Sequence, residues 1–264
     1  GGSEAYVAEA VLEDSSEAVL KVALPEMQGN AVFAQEVSAL EIANGNGYAR
    51  FIRYDHSCRA LLLERLGTPL KDLGYSAKRQ VEIICTELKK SWIWVPTDAR
   101  LQYGDRLIEW FSTFINELWE ELGKPCSKRA IDLALSYLQS RAADFKPETA
   151  VLVHGDAHNG NLLQDRSQPS LAFKFIDPDG LAAEPAYDLG VLMREWIDEL
   201  IPDPVRLGHE RCSFLSEYTG ISVLAIWEWG YIQCISTGLF LIQSGQVQTG
   251  LQMLKVAEAW SESI

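Results

Sequence analysis

The stretch that decides the fold is Val-His-Gly-Asp-Ala-His-Asn-Gly-Asn-Leu-Leu, residues 153–163. It is a polar loop between two apolar ends, and a buried central strand would not carry so many polar side chains in succession. Its chemically distinctive residues are His154, Asp156 and Asn161. A carboxylate and an amide held in one loop favour a site that moves protons or binds a hard metal ion.

A second polar loop follows a short apolar run. Residues 172–176 predict a strand that leads directly into Asp177-Pro178-Asp179-Gly180. Magnesium usually takes one or two protein carboxylates together with phosphate oxygens, so Asp177 and Asn161 are suitable ligands. Asp156 is then the carboxylate that orients and deprotonates an alcohol during phosphoryl transfer, because its spacing from Asn161 matches a kinase catalytic loop.

The chain before these loops predicts a small sheet with one helix. Residues 4–24 form two strand-like runs joined by a turn at 14–16, and residues 30–44 have helical periodicity. Two further strands are predicted at 49–54 and 60–66. The sequence Gly67-Thr68-Pro69 then ends this strand, strand, helix, strand, strand unit.

The remaining chain is predicted to be mainly helical, which makes the fold class α+β. Amphipathic helices are predicted at 76–92, 103–122 and 128–141, with a short strand at 150–153 before the first polar loop. Most of the chain after Tyr187 is predicted to be helical.

Lys21 lies inside the otherwise apolar strand Val19-Leu20-Lys21-Val22. A lysine in a strand is typical of a sheet edge. Kinases, however, use such a lysine to contact the nucleotide phosphates and pair it with a glutamate on the following helix. Given the two loops, the second interpretation is favoured, with Glu36 as the partner in preference to Glu41.

The two loops together resemble the aminoglycoside phosphotransferase family of kinase-like enzymes. The resemblance rests on His-Gly-Asp-x-His-x-x-Asn (154–161) and Asp-Pro-x-Gly-x-x-x-x-Pro-x-Tyr-Asp (177–188). Residues 61–70, Leu-Leu-Leu-Glu-Arg-Leu-Gly-Thr-Pro-Leu, resemble its streptomycin 6-kinase and hydroxyurea kinase branch. The resemblance implies a bilobal protein-kinase-like fold, with an antiparallel-sheet lobe over 1–66 and a larger, mainly helical lobe over 67–264.

The resemblance also implies a cofactor and roles for particular residues. Magnesium with ATP or GTP would be bound, with Asp156 as the base and Asn161 and Asp177 as metal ligands. The other implied positions are the phosphate-contacting pair Lys21 and Glu36, the adenine-contacting hinge from Glu64 to Leu66, and the structural supports His154, His158 and Asp188.

The start of the chain is expected to lack the first strand of this fold. The family's phosphate-covering loop lies between its first two strands, so Gly2 and Ser3 are interpreted as its remainder and as part of the nucleotide site. The alternative is that Gly1-Gly2-Ser3 is a cloning remnant.

The acceptor is predicted to be a small cationic molecule. Glu195, Asp198, Glu199 and Asp203 accompany Trp196 after the second loop, and such a patch binds guanidinium or ammonium groups through charge-assisted hydrogen bonds. If the patch faces a cleft, a streptomycin-type antibiotic is favoured. If it is a solvated helix face, hydroxyurea or another small hydroxyl compound stays open.

Composition limits the partners and the setting. A net charge of −14 disfavours nucleic acid and anionic membrane as partners, because binding to either depends on clustered lysine and arginine. Five cysteines without paired spacing favour a reducing, cytoplasmic setting. Oligomeric state is left open.

Three other interpretations compete with a small-molecule kinase. His154, Asp156 and His158, completed by His56 and His209, could form a zinc hydrolase site, although this leaves Asn161 and Asp177 unexplained. A kinase-shaped protein could bind nucleotide without turnover. A protein kinase is disfavoured, because Pro-Asp-Gly follows Asp177 in place of Phe-Gly and no long activation segment precedes Tyr187.

Overall fold

A computed structural model describes residues 5–24, 30–96, 99–167 and 172–262. The chain forms two compact units. Unit 1 comprises Gly1–Gln102 and Val151–Ala182, and unit 2 comprises Tyr103–Ala150 and Ala183–Ile264. The boundary predicted after Leu66 stays a prediction. Gly2 and Ser3, assigned to the nucleotide site from the sequence, lie outside the described residues.

Unit 1 contains most of the strands. Its elements in chain order are β1 (Ala5–Val11), β2 (Glu17–Ala23), α1 (Asn30–Ala43), β3 (Phe51–Asp55), β4 (Ala60–Glu64), α2 (Ala77–Ser91), β5 (Gln102–Tyr103), β6 (Val151–Val153), β7 (Leu162–Gln164), β8 (Phe173–Phe175) and β9 (Leu181–Ala183). The chain passes between the units within β5, directly before β6 and within β9. The two strand-like runs and the helix predicted before residue 44 are confirmed.

The first four strands form an antiparallel sheet in the order β1-β2-β4-β3. Lys21 pairs with Val7 on one side and Leu61 on the other, so it lies on a central strand. The edge-strand interpretation of Lys21 is therefore wrong. Lys21 is 8% exposed, and a buried ammonium requires compensating charge, which directs attention to its partners.

Three short strands that the sequence did not predict are β5, β7 and β9, and Tyr103 of β5 was assigned to the following helix. The β7 strand pairs antiparallel with β8, with Leu162 opposite Phe175 and Gln164 opposite Phe173. None of the three exceeds three residues, which is too short for an apolar alternation to be recognised.

Unit 2 is helical. Its helices are α3 (Gly104–Glu121), α4 (Lys128–Asp144), α5 (Ala186–Arg194), α6 (Ile197–Leu200), α7 (Pro204–Thr219), α8 (Val223–Gln243) and α9 (Val247–Glu262). The α8 helix is apolar around most of its circumference because it packs against α3, α4, α5, α7 and α9. No helix in the described ranges combines the length and the apolar character needed to span a bilayer.

The interior of unit 2 contains a charged network around Arg141, which is 3% exposed. Its guanidinium donates to Glu228 at 2.5 Å and to Asp144 at 2.6 Å, and it lies 3.4 Å from Glu184. Burial raises the pKa of Glu184, although the Trp229 indole donates to this carboxylate at 2.7 Å and Arg141 opposes the shift. Because these charges satisfy one another, removing one member would leave an uncompensated buried charge.

Four of the five cysteines are buried, and Cys58 is exposed. Burial raises the pKa of the Cys85, Cys126, Cys212 and Cys234 thiols to about 12. At pH 8 only about 10⁻⁴ of each buried thiol is the reactive thiolate.

We expect iodoacetamide at pH 8 to modify Cys58 alone in the native protein and all five cysteines after unfolding, as measured by peptide mass mapping. Comparable labelling of Cys85 in the native state would contradict this burial.

Candidate active site

The β7–β8 hairpin brings the two polar loops together. The β7 strand begins directly after Asn161, and β8 ends one residue before Ile176. The Ile176 N–H donates to the Asn161 carbonyl at 2.9 Å, and the Asp179 N–H donates to the His154 carbonyl at 2.9 Å. The loops predicted to share one metal therefore meet through their backbones within unit 1.

His154 connects the two loops from a fully buried position. Its Nε2 donates to the Ile176 carbonyl at 2.8 Å, and its Nδ1 accepts from the Asp156 N–H at 3.1 Å. The ring stacks on Tyr48 with a centroid distance of 6.0 Å and contacts Phe175 at 4.8 Å. This placement suits the supporting role predicted for His154. Both ring nitrogens of His154 already make hydrogen bonds, so neither is available as a zinc ligand.

Asp156 is anchored through its backbone while its side chain stays 41% exposed. Its carbonyl accepts from the His158 N–H at 2.8 Å and from the Asn161 Nδ2 at 3.0 Å. Asn161 thus donates with its nitrogen, and Oδ1 is the atom it would offer to a metal. A rigid backbone beneath an accessible carboxylate is what a general base requires.

His158 lies beside the Asp156 carboxylate, with Nε2 3.3 Å from Oδ2. The Gly160 N–H donates to His158 Nδ1 at 2.9 Å, so the neutral ring carries its proton on Nε2, the nitrogen next to Asp156. His158 can therefore restrict the orientation of this carboxylate.

Lys21 contacts two carboxylates that are far apart in the sequence. Its ammonium lies 2.6 Å from Glu36 and 3.0 Å from Asp177. Burial alone would lower the pKa of Lys21, but the charges of Glu36 and Asp177 outweigh burial and raise it. The ammonium is therefore charged at neutral pH and able to neutralise phosphate oxygens. The structure pairs Lys21 with Glu36 and leaves Glu41 exposed on α1.

The backbone of both loops has constraints that the sequence did not reveal. Asp177 has a φ of +56°, a left-handed conformation that aspartate and asparagine tolerate better than most residues. Gly155 has a φ of +96°, and a Cβ there would lie 2.2 Å from the Asp179 carboxylate. Gly155 replaces the arginine of the protein kinase loop, and a larger residue would not fit.

A cavity of about 630 Å³ lies in unit 1. Lys21 and Asp177 line it, as do the predicted hinge residues Glu64 and Leu66. Glu17, Arg65 and Arg166 also line it. Glu17 pairs with both arginines, at 2.9 Å from Arg65 and 2.5 Å from Arg166. A cavity with apolar walls, a hinge backbone and a buried ammonium suits a nucleotide.

The predicted acceptor residues lie in unit 2, where arginines neutralise part of the patch. Glu195 lies 3.0 Å from Arg194, and Glu199 lies 3.5 Å from Arg211. Asp198 accepts from the Gln252 amide at 3.4 Å. A cationic acceptor at this patch would therefore have to displace arginine partners.

Arg211 also fixes the backbone next to Trp196. It donates to the carbonyls of Met193 and Glu195, just before Trp196 turns into the left-handed region with a φ of +49°. Trp196 is half-buried, and the predicted support Asp188 is fully buried in α5.

Sequence reasoning missed Lys174 and Asp165. Lys174 lies 2.6 Å from Glu64 and 3.5 Å from Asp165. The only sequence signal was that Lys174 lies between two phenylalanines in a strand. Because side chains alternate along a strand, the lysine faces the side opposite to the two phenylalanines.

No group of three or more histidine, cysteine, aspartate or glutamate residues suited to a metal occurs in the described part of the chain. The zinc hydrolase interpretation therefore has no structural support. Asn161 and Asp177 supply only two protein ligands, a number that suits magnesium when phosphate oxygens complete its shell.

Comparisons with known proteins identify the family. Residues 2–237 match the family model described as "Aminoglycoside/hydroxyurea antibiotic resistance kinase". Streptomycin 6-kinase of Streptomyces glaucescens is 24% identical over 263 residues, covering 98% of this chain and 81% of that protein. Hydroxyurea phosphotransferase of Kitasatospora aureofaciens is 28% identical over 190 residues, covering 71% of this chain and 53% of that protein.

Solved structures agree on the fold. Choline kinase LicA of Streptococcus pneumoniae superposes with a TM-score of 0.66 at 18% identity, covering 100% of this chain and 92% of LicA. A second LicA structure, a complex with AMP, gives a TM-score of 0.64. The fold is thus protein-kinase-like, as the sequence predicted. The chain belongs to the aminoglycoside and hydroxyurea antibiotic resistance kinases.

Proposed function

We propose that this kinase transfers the γ-phosphoryl group of a magnesium-bound nucleoside triphosphate to a hydroxyl of a streptomycin-type aminoglycoside. The observation that carries the proposal is the cluster in unit 1, where Lys21 contacts both Glu36 and Asp177 and the backbone of Asn161 bonds to Ile176. Family membership supports the reaction type.

The donor side of the reaction follows from these residues. The hinge backbone from Glu64 to Leu66 would hold the base, and the Lys21 ammonium would neutralise phosphate oxygens. Asn161 Oδ1 and the Asp177 carboxylate would hold magnesium, which neutralises charge on the transferring phosphates when bound. Lys21 can supply its charge without rearrangement, because Glu36 already fixes it at 2.6 Å.

The acceptor side follows from Asp156. Its carboxylate would accept the proton of the attacking hydroxyl, with His158 limiting its orientation. For the acceptor itself, support comes from the family description and from the streptomycin 6-kinase match over most of both chains. Glu195, Trp196, Asp198 and Glu199 are proposed contacts for its guanidinium groups.

Hydroxyurea or another small hydroxyl compound is the second candidate acceptor, favoured by the pairing of Glu195 and Glu199 with arginines. An assay that detects release of ADP from MgATP or of GDP from MgGTP should be run against streptomycin, other aminoglycosides, hydroxyurea and common metabolites. We expect the largest acceptor-dependent rate with streptomycin.

Asp156→Asn is the control, because it should lower every acceptor-dependent rate and leave the nucleotide site in place. A largest rate with hydroxyurea would establish the second candidate. Nucleotide binding without turnover for any acceptor would instead identify a non-catalytic binding protein.

A further inference from the structure

Lys174 is a mostly buried cation in the middle of β8, with only 17% of its side chain exposed. Its ammonium lies 2.6 Å from Glu64, whose side chain is 15% exposed, and 3.5 Å from Asp165, whose side chain is 4% exposed. Burying an ammonium is unfavourable unless it is paired and hydrogen-bonded. Both carboxylates are therefore needed to keep Lys174 in place, and their arrangement fixes its position.

Glu64 is the last residue of β4 and the start of the hinge. The oxygen that accepts from Lys174 also accepts from the Arg50 N–H at 2.6 Å. In turn, β8 is bonded to the segment before β3, because the Ala49 N–H donates to the Phe175 carbonyl at 2.8 Å. Lys174 thus links the start of the hinge to the strand that leads into Asp177.

The end of the hinge is attached to the same hairpin by backbone bonds. The Gly67 N–H donates to the Gln164 carbonyl at 2.8 Å, and the Gln164 N–H donates to the Thr68 carbonyl at 3.1 Å. The start of the hinge, in contrast, forms no strand pairing with β8 among the described residues. It is joined to β8 by the ion pair between Lys174 and Glu64. Both ends of the hinge are therefore fixed relative to β7 and β8.

We propose that Lys174 is a positioning residue that sets the separation between the base-contacting hinge and the metal ligand Asp177. This inference rests on the proposed function, since it requires a nucleotide that engages both places at once. A ligand with two ends gains affinity only when the protein holds both subsites at the spacing of the ligand. Loss of Lys174 should therefore weaken binding of a whole nucleotide, which contacts both subsites, and leave the affinity of each subsite for its own part of the nucleotide unchanged.

The test compares a whole nucleotide with its two parts. Dissociation constants are measured for MgATP, for adenosine and for magnesium tripolyphosphate in the wild type and in Lys174→Met, which keeps the length of the stem. We expect MgATP to bind about tenfold more weakly and each part to bind within about twofold of wild type. The matched control is Lys128→Met on the surface of α4, whose lysine is 2.6 Å from Asp132; it should leave all three values unchanged.

Two further variants keep the test decisive if Lys174→Met does not fold. Glu64→Gln retains an oxygen for the Arg50 N–H and should reproduce the pattern, and Lys174→Arg should restore part of the MgATP affinity. Unchanged MgATP affinity in Lys174→Met or Glu64→Gln would overturn the inference, as would equal losses for MgATP and for the parts. A wild type that binds none of the three ligands would refute the proposed function itself, which is a different result.

Discussion

Replacing Asp156 by asparagine is expected to lower kcat by at least about 10²-fold, or roughly 2.7 kcal/mol of transition-state stabilisation, while nucleotide affinity stays within about twofold. The substitution keeps the shape of the side chain and leaves the backbone carbonyl that accepts from His158 and Asn161. It replaces one carboxylate oxygen by an amide nitrogen and removes the negative charge that, under the proposed function, accepts the proton of the acceptor hydroxyl.

The measurement for Asp156→Asn is kcat by ADP release together with the nucleotide dissociation constant by calorimetry. Asp132→Asn on the exposed face of α4 is the control for the chemical change itself. A kcat within about fivefold of wild type would remove Asp156 from the role of base.

Replacing Asp177 by asparagine is expected to lower turnover by about 10²–10³-fold, the range found when a preorganised charge-stabilising group is lost. The variant should also need more magnesium for half-maximal rate, because an amide oxygen is a weaker ligand than a carboxylate. Folding should be preserved, since asparagine tolerates the left-handed φ of +56° and Lys21 keeps Glu36 at 2.6 Å.

The measurement for Asp177→Asn is a magnesium titration of the rate, with thermal unfolding to establish that the variant is folded. Asp132→Asn on the exposed face of α4 is the control and should behave as wild type. A magnesium requirement for half-maximal rate that is unchanged in Asp177→Asn would show that Asp177 is not a metal ligand.

The two polar loops of the candidate site could be predicted from the sequence because the spacing of their residues is local. Asp156 and Asn161 belong to one loop, and Asp177 directly follows an apolar run. The pairing of Lys21 with Glu36 could be anticipated only through the resemblance to kinases, since nothing local indicates which glutamate on α1 faces the sheet. The structure selects Glu36.

What could not be predicted depends on contacts between distant segments. Lys174 and Glu64 are 110 residues apart, so no periodicity links them. Arg211, which lies near Glu199, comes from α7. The sequence alone therefore did not show that this arginine neutralises part of the acidic patch. The left-handed backbone at Asp177 could not be predicted either, because aspartate tolerates this conformation but is not restricted to it.

The division of the chain into units places the proposed phosphate-transfer residues and the proposed acceptor contacts in different units. Asp156, Asn161, Asp177 and Lys21 all belong to unit 1, and the proposed acceptor contacts belong to unit 2, which is encoded by two separate stretches of the chain. Under the proposed function, mutations of these contacts would alter acceptor preference without replacing any of the four residues of unit 1. Recombination that swaps only one stretch would divide a single helical core between two ancestries, because α8 from the second stretch packs against α3 and α4 from the first. An exchange that keeps this core intact therefore requires both stretches to be inherited together.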